Sequence, residues 1–298
     1  MTGGKNMDWM RGFQKSLNYI EAHITESLEY ERIAQEMNIS SFYYQKLFSV
    51  LCGISLGEYI RNRRLTLAGN ELLATDEKLI DIALKYGYDT QEGFTRAFTR
   101  FHGVTPNAAR KNVIPLKSFS KLSLSISVKG GNIMDYRIEE KDCFKIIAKT
   151  QRFTKIEDVN GRADIPKFWE ECHQNGTVKF LEEISKKDGV LGNSIVGLCR
   201  EDSTVVKDFP YSIGAEYNGE TIPEGYHVIA IPSATWAVFE IKGVMPQAIQ
   251  KLWHSIFTEF FPTSEYKPDK NFDLEVYSSG DMGRSDYHSE VWIAVMKK

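Results

Sequence analysis

Residues 79–110 read LIDIALKYGYDTQEGFTRAFTRFHGVTPNAAR. Leu79, Ile82, Ala83 and Tyr86 recur at i, i+3, i+4 and i+7, the apolar stripe of a short amphipathic helix. Gly87 then supplies a backbone that can turn, and Thr90 is a candidate N-cap for a second helix. In that helix Phe94, Ala97, Phe98 and Phe101 repeat the stripe, which leaves Gln91, Glu92, Thr95, Arg96 and Arg100 on other faces. A small helical unit that exposes a helix rich in Gln, Thr and Arg has the form and chemistry of a major-groove reader. Taken by itself, the stretch fits an ordinary helical hairpin with a solvated polar face equally well.

A counterpart begins 49 residues upstream. Tyr30, Ile33, Ala34 and Met37 mark a short helix, Asn38-Ile39-Ser40 a turn, and Ser40 or Ser41 a cap. Tyr44, Leu47, Phe48 and Leu51 give the next helix its stripe, with Phe42, Tyr43, Gln45, Lys46 and Ser49 on its other faces. The two copies also close alike, with FSVLCGISLGEYIRNRR and FTRFHGVTPNAARK. An internal repeat argues against coincidence. A further stripe, Phe13, Leu17, Ile20 and Ile24, precedes the first copy. Between the copies, EYIRNRRLTLAGNELLAT has few breakers. A helix of about 15 residues there would hold the units roughly 20–25 Å apart. Two reading helices in fixed relation could enter successive major grooves, about 34 Å apart on one face of DNA.

The composition is that of a soluble globular protein: 298 residues, 42% apolar and 26% charged, long enough for two domains. No apolar run approaches the 18 or so residues that span a bilayer, and the N-terminus lacks a signal-peptide core, so a cytoplasmic protein is expected. Cys52, Cys143, Cys172 and Cys199 form no CxxC pair, and no histidines stand at HxxxH spacing; reduced thiols and no structural metal follow. Charge is uneven. Residues 1–130 carry 17 Lys+Arg against 13 Asp+Glu, and residues 131–298 carry 20 against 27. A mildly basic front half suits a polyanion, and an acidic back half does not.

Residues from about 9 to 112 resemble the DNA-binding domain of the AraC/XylS family. The resemblance rests on Ala34, Phe48, GISLGEYIRNRRL and IALKYGYDTQEGFTRAFTRFHGVTP. It implies two helix-turn-helix units joined by a long helix, with contacts to double-stranded promoter DNA from Phe42, Gln45 and Lys46 in the first reading helix. In the second they come from Gln91, Glu92, Thr95 and Arg96, with Arg100 phosphate-facing or structural. The chemistry agrees in part: Gln pairs with adenine, Lys and Arg with guanine, and Thr touches a thymine methyl. Glu92 departs from the expected neutral residue, since a carboxylate repels phosphate. Arg61 and Arg63 read as structural or phosphate-facing, and Arg64 as one half of a structural ion pair.

These patterns divide the chain into an all-α double helix-turn-helix domain (1–115), a linker (116–132) and an α+β domain (133–298). The linker is serine-rich, ends in Gly-Gly-Asn, and alternates at Leu122, Leu124, Ile126 and Val128 as a short edge strand would. Beyond it, strands are expected at Phe144–Thr150, Ile195–Arg200, Tyr211–Tyr217, Val228–Ile231, Thr235–Ile241, Phe272–Tyr277 and Val291–Met296. Helical stripes run from Ile165 to Ile184 and from Met245 to Phe261. The order is strand–helix–strand–strand twice over, which pairs into an antiparallel sheet with helices on one face. In the last strands Asp273, Glu275 and Tyr277 share one face, and Glu290, Trp292 and Ala294 another. An acid beside a large aromatic suits a pocket for an organic cation or an amphipathic molecule; a solvated outer face fits the same alternation.

This half resembles the GyrI-like effector-binding domain, through FPYSIGAEY, IPSATWAVFEIKG, FDLEVY and EVWIAV. The resemblance implies a ligand cleft faced by Glu275, with Trp169, Tyr217, Trp236, Tyr277 and Trp292 as wall candidates. The whole reads as a bacterial transcriptional regulator with a small-molecule effector and RNA polymerase as partners, monomeric or homodimeric, without cofactor, membrane or catalytic residues. No Ser-His-Asp arrangement, metal spacing or phosphate loop points to an enzyme. The alternative is a rear domain that hydrolyses a small molecule or docks a protein, with the front domain as targeting.

Overall fold

The computed structural model describes residues 3–112, 114–124, 134–154, 165–185, 188–200 and 208–298. Its contacts divide into two compact units, Gly3–Val128 and Lys129–Lys298.

The first unit is helical: α1 (Gly3–Ala22), α2 (Tyr30–Gln35), α3 (Ser41–Cys52), α4 (Leu56–Ala74), α5 (Leu79–Lys85), α6 (Gln91–His102) and α7 (Pro106–Asn112). The two reading helices start the same way. Ser40 Oγ accepts from the Tyr43 amide at 3.3 Å, and Thr90 Oγ1 accepts from the Gly93 amide at 3.1 Å. Both close on a glycine, Gly53 and Gly103. The predicted stripes are the buried faces. Ile82, Ala83, Phe94 and Phe98 pack with Leu65, Ala68 and Leu72 of α4. On the other side Phe48 meets Phe13 at 6.1 Å and Tyr59 at 5.5 Å. Each such ring contributes about 1.5–3 kcal/mol by leaving water. The joining helix α4 has 19 residues, longer than expected, and so spans about 28 Å.

Residues 114–124, expected within a linker and edge strand, form no strand. They lie along α1 and α4. The Phe119 amide donates to Thr66 Oγ1 (2.9 Å), and the Phe119 carbonyl accepts from Arg63 Nη1 (2.6 Å). The Leu122 amide donates to the Tyr59 hydroxyl (3.2 Å), and the Leu124 amide to Gln14 Oε1 (3.2 Å). Side chains thus take the backbone groups that a neighbouring strand would otherwise satisfy. Ile126 and Val128 fall outside the described residues.

The second unit holds β1 (Tyr136–Lys141), β2 (Phe144–Thr154), α8 (Ile165–Gln174), α9 (Thr177–Ile184), β3 (Ser194–Arg200), β4 (Asp208–Glu216), β5 (His227–Ile231) and β6 (Ala234–Lys242). It continues through α10 (Gln247–Ser255), a π-helical turn (Ile256–Phe260) and α11 (Phe261–Thr263) to β7 (Tyr266–Ser278) and β8 (His288–Lys297). The eight strands form one sheet in the order β1-β6-β8-β7-β3-β4-β2-β5, every pairing antiparallel. The helical stretch expected to continue or resume to Ile184 does the second, as α8 and α9 with Asn175 and Gly176 between them. Strand β1 was not expected. Its sequence YRIEEK is too charged to read as a strand, but Arg137 pairs with Glu139 of its own strand (2.7 Å) and across the sheet with Glu240 of β6 (2.6 Å) and Glu290 of β8 (3.0 Å).

Register sorts the side chains into two faces. Leu274, Val276, Trp236, Val238, Trp292, Ala294, Val196 and Leu198 share one face and form an apolar core with Phe144, Ile146 and Leu191. Asp273, Glu275 and Tyr277 point to the other, where the helices lie: Phe168 of α8 meets Phe153 of β2, and Phe260 meets Phe239 of β6.

Candidate ligand cleft and nucleic-acid interface

Glu275 lies in the middle of β7, paired with Gly197 on one side and Val291 on the other. Its half-buried carboxylate is ringed by donors. Trp253 Nε1 of α10 donates to Oε1 at 2.7 Å, and the Tyr277 hydroxyl donates to Oε2 at 2.9 Å. The Tyr211 hydroxyl approaches Oε2 at 3.5 Å and itself accepts from Trp169 Nε1 of α8 at 3.0 Å. The Trp169 and Tyr277 rings meet edge to face at 5.1 Å. A carboxylate thus sits on a sheet floor between two helices, walled by indoles and phenols. Burial and the Glu275 charge push both phenols well above their ordinary pKa, so they stay protonated donors.

Gly197 makes this possible. Tyr211 belongs to β4, and Glu275 to β7, with β3 between them. The phenol crosses β3 over Gly197, and a β-carbon there would collide with the Tyr211 hydroxyl.

Among the expected wall residues, Trp169 and Tyr277 join Glu275. Trp236 and Trp292 do not. They lie on the opposite face, 5.8 Å apart in the apolar core, because the register pairs Trp292 with Leu274. Tyr217 follows the end of β4, six residues beyond Tyr211, or about 20 Å along a strand. Tyr211 and Trp253 were missed. Each reads as core at its own position, and only long-range register brings them to Glu275.

On the Trp292 face a cleft of about 220 Å³ is lined by Arg137, Leu191, Val276, His288, Glu290 and Trp292, among others. Glu240, His288 and Glu290 place ligand atoms within 4.8 Å of one another there, close enough for a metal ion. Arg137 supplies countercharge to both carboxylates, at 2.6 and 3.0 Å.

In the helical unit Gln91, Glu92, Arg96 and Arg100 are exposed on α6 and Thr95 is half-buried, while Phe94 and Phe98 anchor the helix beneath them. Glu92 sits in the first turn, where a carboxylate stabilises the helix end electrostatically. On α3 Gln45 and Lys46 are half-buried, and Gln45 Nε2 donates to the Ser41 carbonyl at 3.2 Å. Phe42 departs from its expected exposure. It is 6% exposed and packs edge to face on Tyr43 at 5.1 Å, so its ring belongs to the core.

The arginines of α4 also differ from expectation in part. Arg63 makes a two-pronged ion pair with Glu21 (2.9 and 2.8 Å), and the Tyr59 hydroxyl joins it at 2.6 Å. Arg64 has carbonyl partners instead of the expected ion pair: Nε donates to Ile24 O (2.7 Å) and Nη2 to Glu26 O (2.6 Å). No described helix is long and apolar enough to cross a membrane.

Residues 137–295 match the family of integron-associated effector binding proteins, and residues 33–112 match a helix-turn-helix domain family. The chain is 39% identical over 104 residues to an HTH-type transcriptional regulator of Bacillus subtilis, YbfP, covering 35% of each. It is 38% identical over 97 residues to the regulatory protein SoxS of Salmonella typhimurium, covering 33% of this chain and 91% of SoxS. The match thus spans about a third of YbfP and nearly all of SoxS. The solved structure of SAV2435 bound to tetraphenylphosphonium is similar at 21% identity and a TM-score of 0.47, covering 55% of this chain and 94% of that one. The chain belongs to the integron-associated effector-binding family, and its front part is a helix-turn-helix domain of the AraC type.

Proposed function

We propose that this protein is a sequence-specific transcriptional regulator whose rear domain senses a cationic or amphipathic small molecule. The observation that carries it is the pairing, in one chain, of two capped reading helices with a cleft whose floor is a carboxylate among aromatic rings. The reading helices address two successive major grooves, over a site of roughly 20 base pairs. Gln45, Lys46, Gln91, Thr95 and Arg96 are the residues proposed to face DNA, with Arg100 on phosphate. Two heads per chain make a monomer sufficient, and RNA polymerase is the expected protein partner. Effector binding regulates only if it favours one DNA-competent state over another.

The Trp253, Tyr277 and Tyr211 donors hold the Glu275 carboxylate in place, which supports a role in recognising charge. Steady turnover of a bound molecule by the whole chain, lost in Glu275→Gln, would favour the hydrolase reading instead.

Binding of the whole chain to a promoter fragment should fall steeply with salt, losing about 10³-fold or more between 50 and 200 mM if six or more phosphates are contacted. Failure to shift any duplex at low salt would overturn the proposal. Arg96→Ala should cost about 1–3 kcal/mol and relax preference at one base position if Arg96 reads a guanine. A uniform loss on all sequences would reassign it to phosphate.

A further inference from the structure

Arg64 lies near the middle of α4, the helix that joins the two helix-turn-helix units. Its Nε and Nη2 donate to the carbonyls of Ile24 and Glu26, in the segment between α1 and α2 of the first unit. Its third nitrogen reaches the other way. A β-carbon on Gly87 would lie 2.5 Å from Arg64 Nη1, and Gly87 is the turn between α5 and α6 of the second unit, at φ +82°. Tyr30 of the first unit and Tyr88 of the second are both near enough to act on its charge. One half-buried guanidinium therefore touches both units and the helix between them.

The neighbouring arginines do not do this. Arg63 serves Glu21 of α1 and the Phe119 carbonyl, all on one side of α4. Arg110 donates to the Leu72 and Glu77 carbonyls, at the end of α4 and just before α5. The rigid fork of an arginine suits such a junction, because two of its nitrogens are bonded to the first unit while the third, held in the same plane, packs on the Gly87 turn. Lysine cannot reproduce it.

We propose that Arg64 sets the offset between the two reading heads, and so selects the spacing between the two DNA boxes without touching a base. This rests on the DNA-binding reading above. One inserted base pair moves the second box by about 3.4 Å and turns it by roughly 35°. A rigid junction cannot follow that step, whereas a loosened one can. Loosening also lowers the effective concentration of the second head at its box, so affinity for a correctly spaced site falls while affinity for a single box does not.

The test uses the whole chain and a duplex selected by the wild type from a random pool of about 30 base pairs, a length that holds both boxes. Variants of that duplex carry one inserted base pair between the boxes, or a scrambled second box. Wild type should lose about tenfold or more on insertion. Arg64→Ala should bind the parent duplex about tenfold more weakly, lose less than about threefold on insertion, and match wild type on the single box. Arg63→Ala, which breaks the part-buried ion pair between α4 and Glu21 of α1, should lower the melting temperature yet keep the wild-type insertion penalty. An Arg64→Ala protein that keeps the full insertion penalty, or weakens equally on the single box, overturns the proposal. If Arg64→Ala does not fold, Arg64→Lys and Gly87→Ala decide it in the same assay, since the first keeps the charge but removes the fork and the second pushes Nη1 off the turn. A wild type that selects no duplex would instead sink the DNA-binding reading itself.

Discussion

Glu275→Gln should weaken binding of an aromatic cation by roughly 30- to 150-fold, because a charge-assisted contact worth about 2–3 kcal/mol is lost. The fold should be unaffected. Glutamine keeps an oxygen for the Trp253 indole, and the Tyr277 hydroxyl, now facing an amide, can rotate from donor to acceptor. Only the charge disappears. Titration calorimetry of the whole chain against the cation, with a thermal melt to show equal stability, checks this; equal affinity would remove Glu275 from the site. Trp253→Phe supplies the complementary measurement. It retains ring surface and removes the N–H that occupies Oε1, so a cation that must displace that hydrogen should bind a few-fold more tightly, by about 1 kcal/mol or less. Weaker binding would mean that the indole holds the carboxylate in place for the ligand.

Phe98→Ala should cost the helical unit about 3–5 kcal/mol and take DNA binding with it. Phe98 is fully buried, meets Phe94 at 5.5 Å and His102 at 4.2 Å, and packs in the cluster that fastens α6 to α4 and α5. Truncation leaves a cavity directly under the helix that carries Gln91, Thr95 and Arg96. Urea melts followed by the helical circular-dichroism signal report the loss. Arg100→Ala, two residues away and exposed, should stay within about 0.5 kcal/mol of wild type. Comparable losses for the two would show that α6 is not held by its apolar face.

The helical half was legible because its helices bury apolar stripes and the two reading helices start on capping side chains, Ser40 and Thr90. Phe42 was not, since a stripe tells which residues face their own neighbours and nothing about what else covers a helix. The order of strands and helices in the second half was also legible, apart from β1, whose charges are paired within the strand and with Glu240 and Glu290 beside it. Alternation sorts faces within one strand only, so it put Trp292 in the Glu275 cleft; the pairing of Trp292 with Leu274 puts it on the opposite face, and with both faces buried, polarity gave no warning. Tyr211 became a neighbour of Glu275 only through two strand registers and the space above Gly197. Arg64 was legible as structural but not its partners, which are backbone carbonyls that every residue has.

The docking of residues 114–124 changes where the chain between the two units takes load. Were residues 114–124 not docked, a pull on them would act on α7, at the far end of the second reading unit. Because the Phe119, Leu122 and Leu124 backbone is fastened to Thr66, Arg63, Tyr59 and Gln14, the anchorage is on α4 and α1. Mechanically, the point of attachment is the strut between the heads. Tension transmitted from beyond Leu124 therefore bears on the helix that spaces them before it reaches either one.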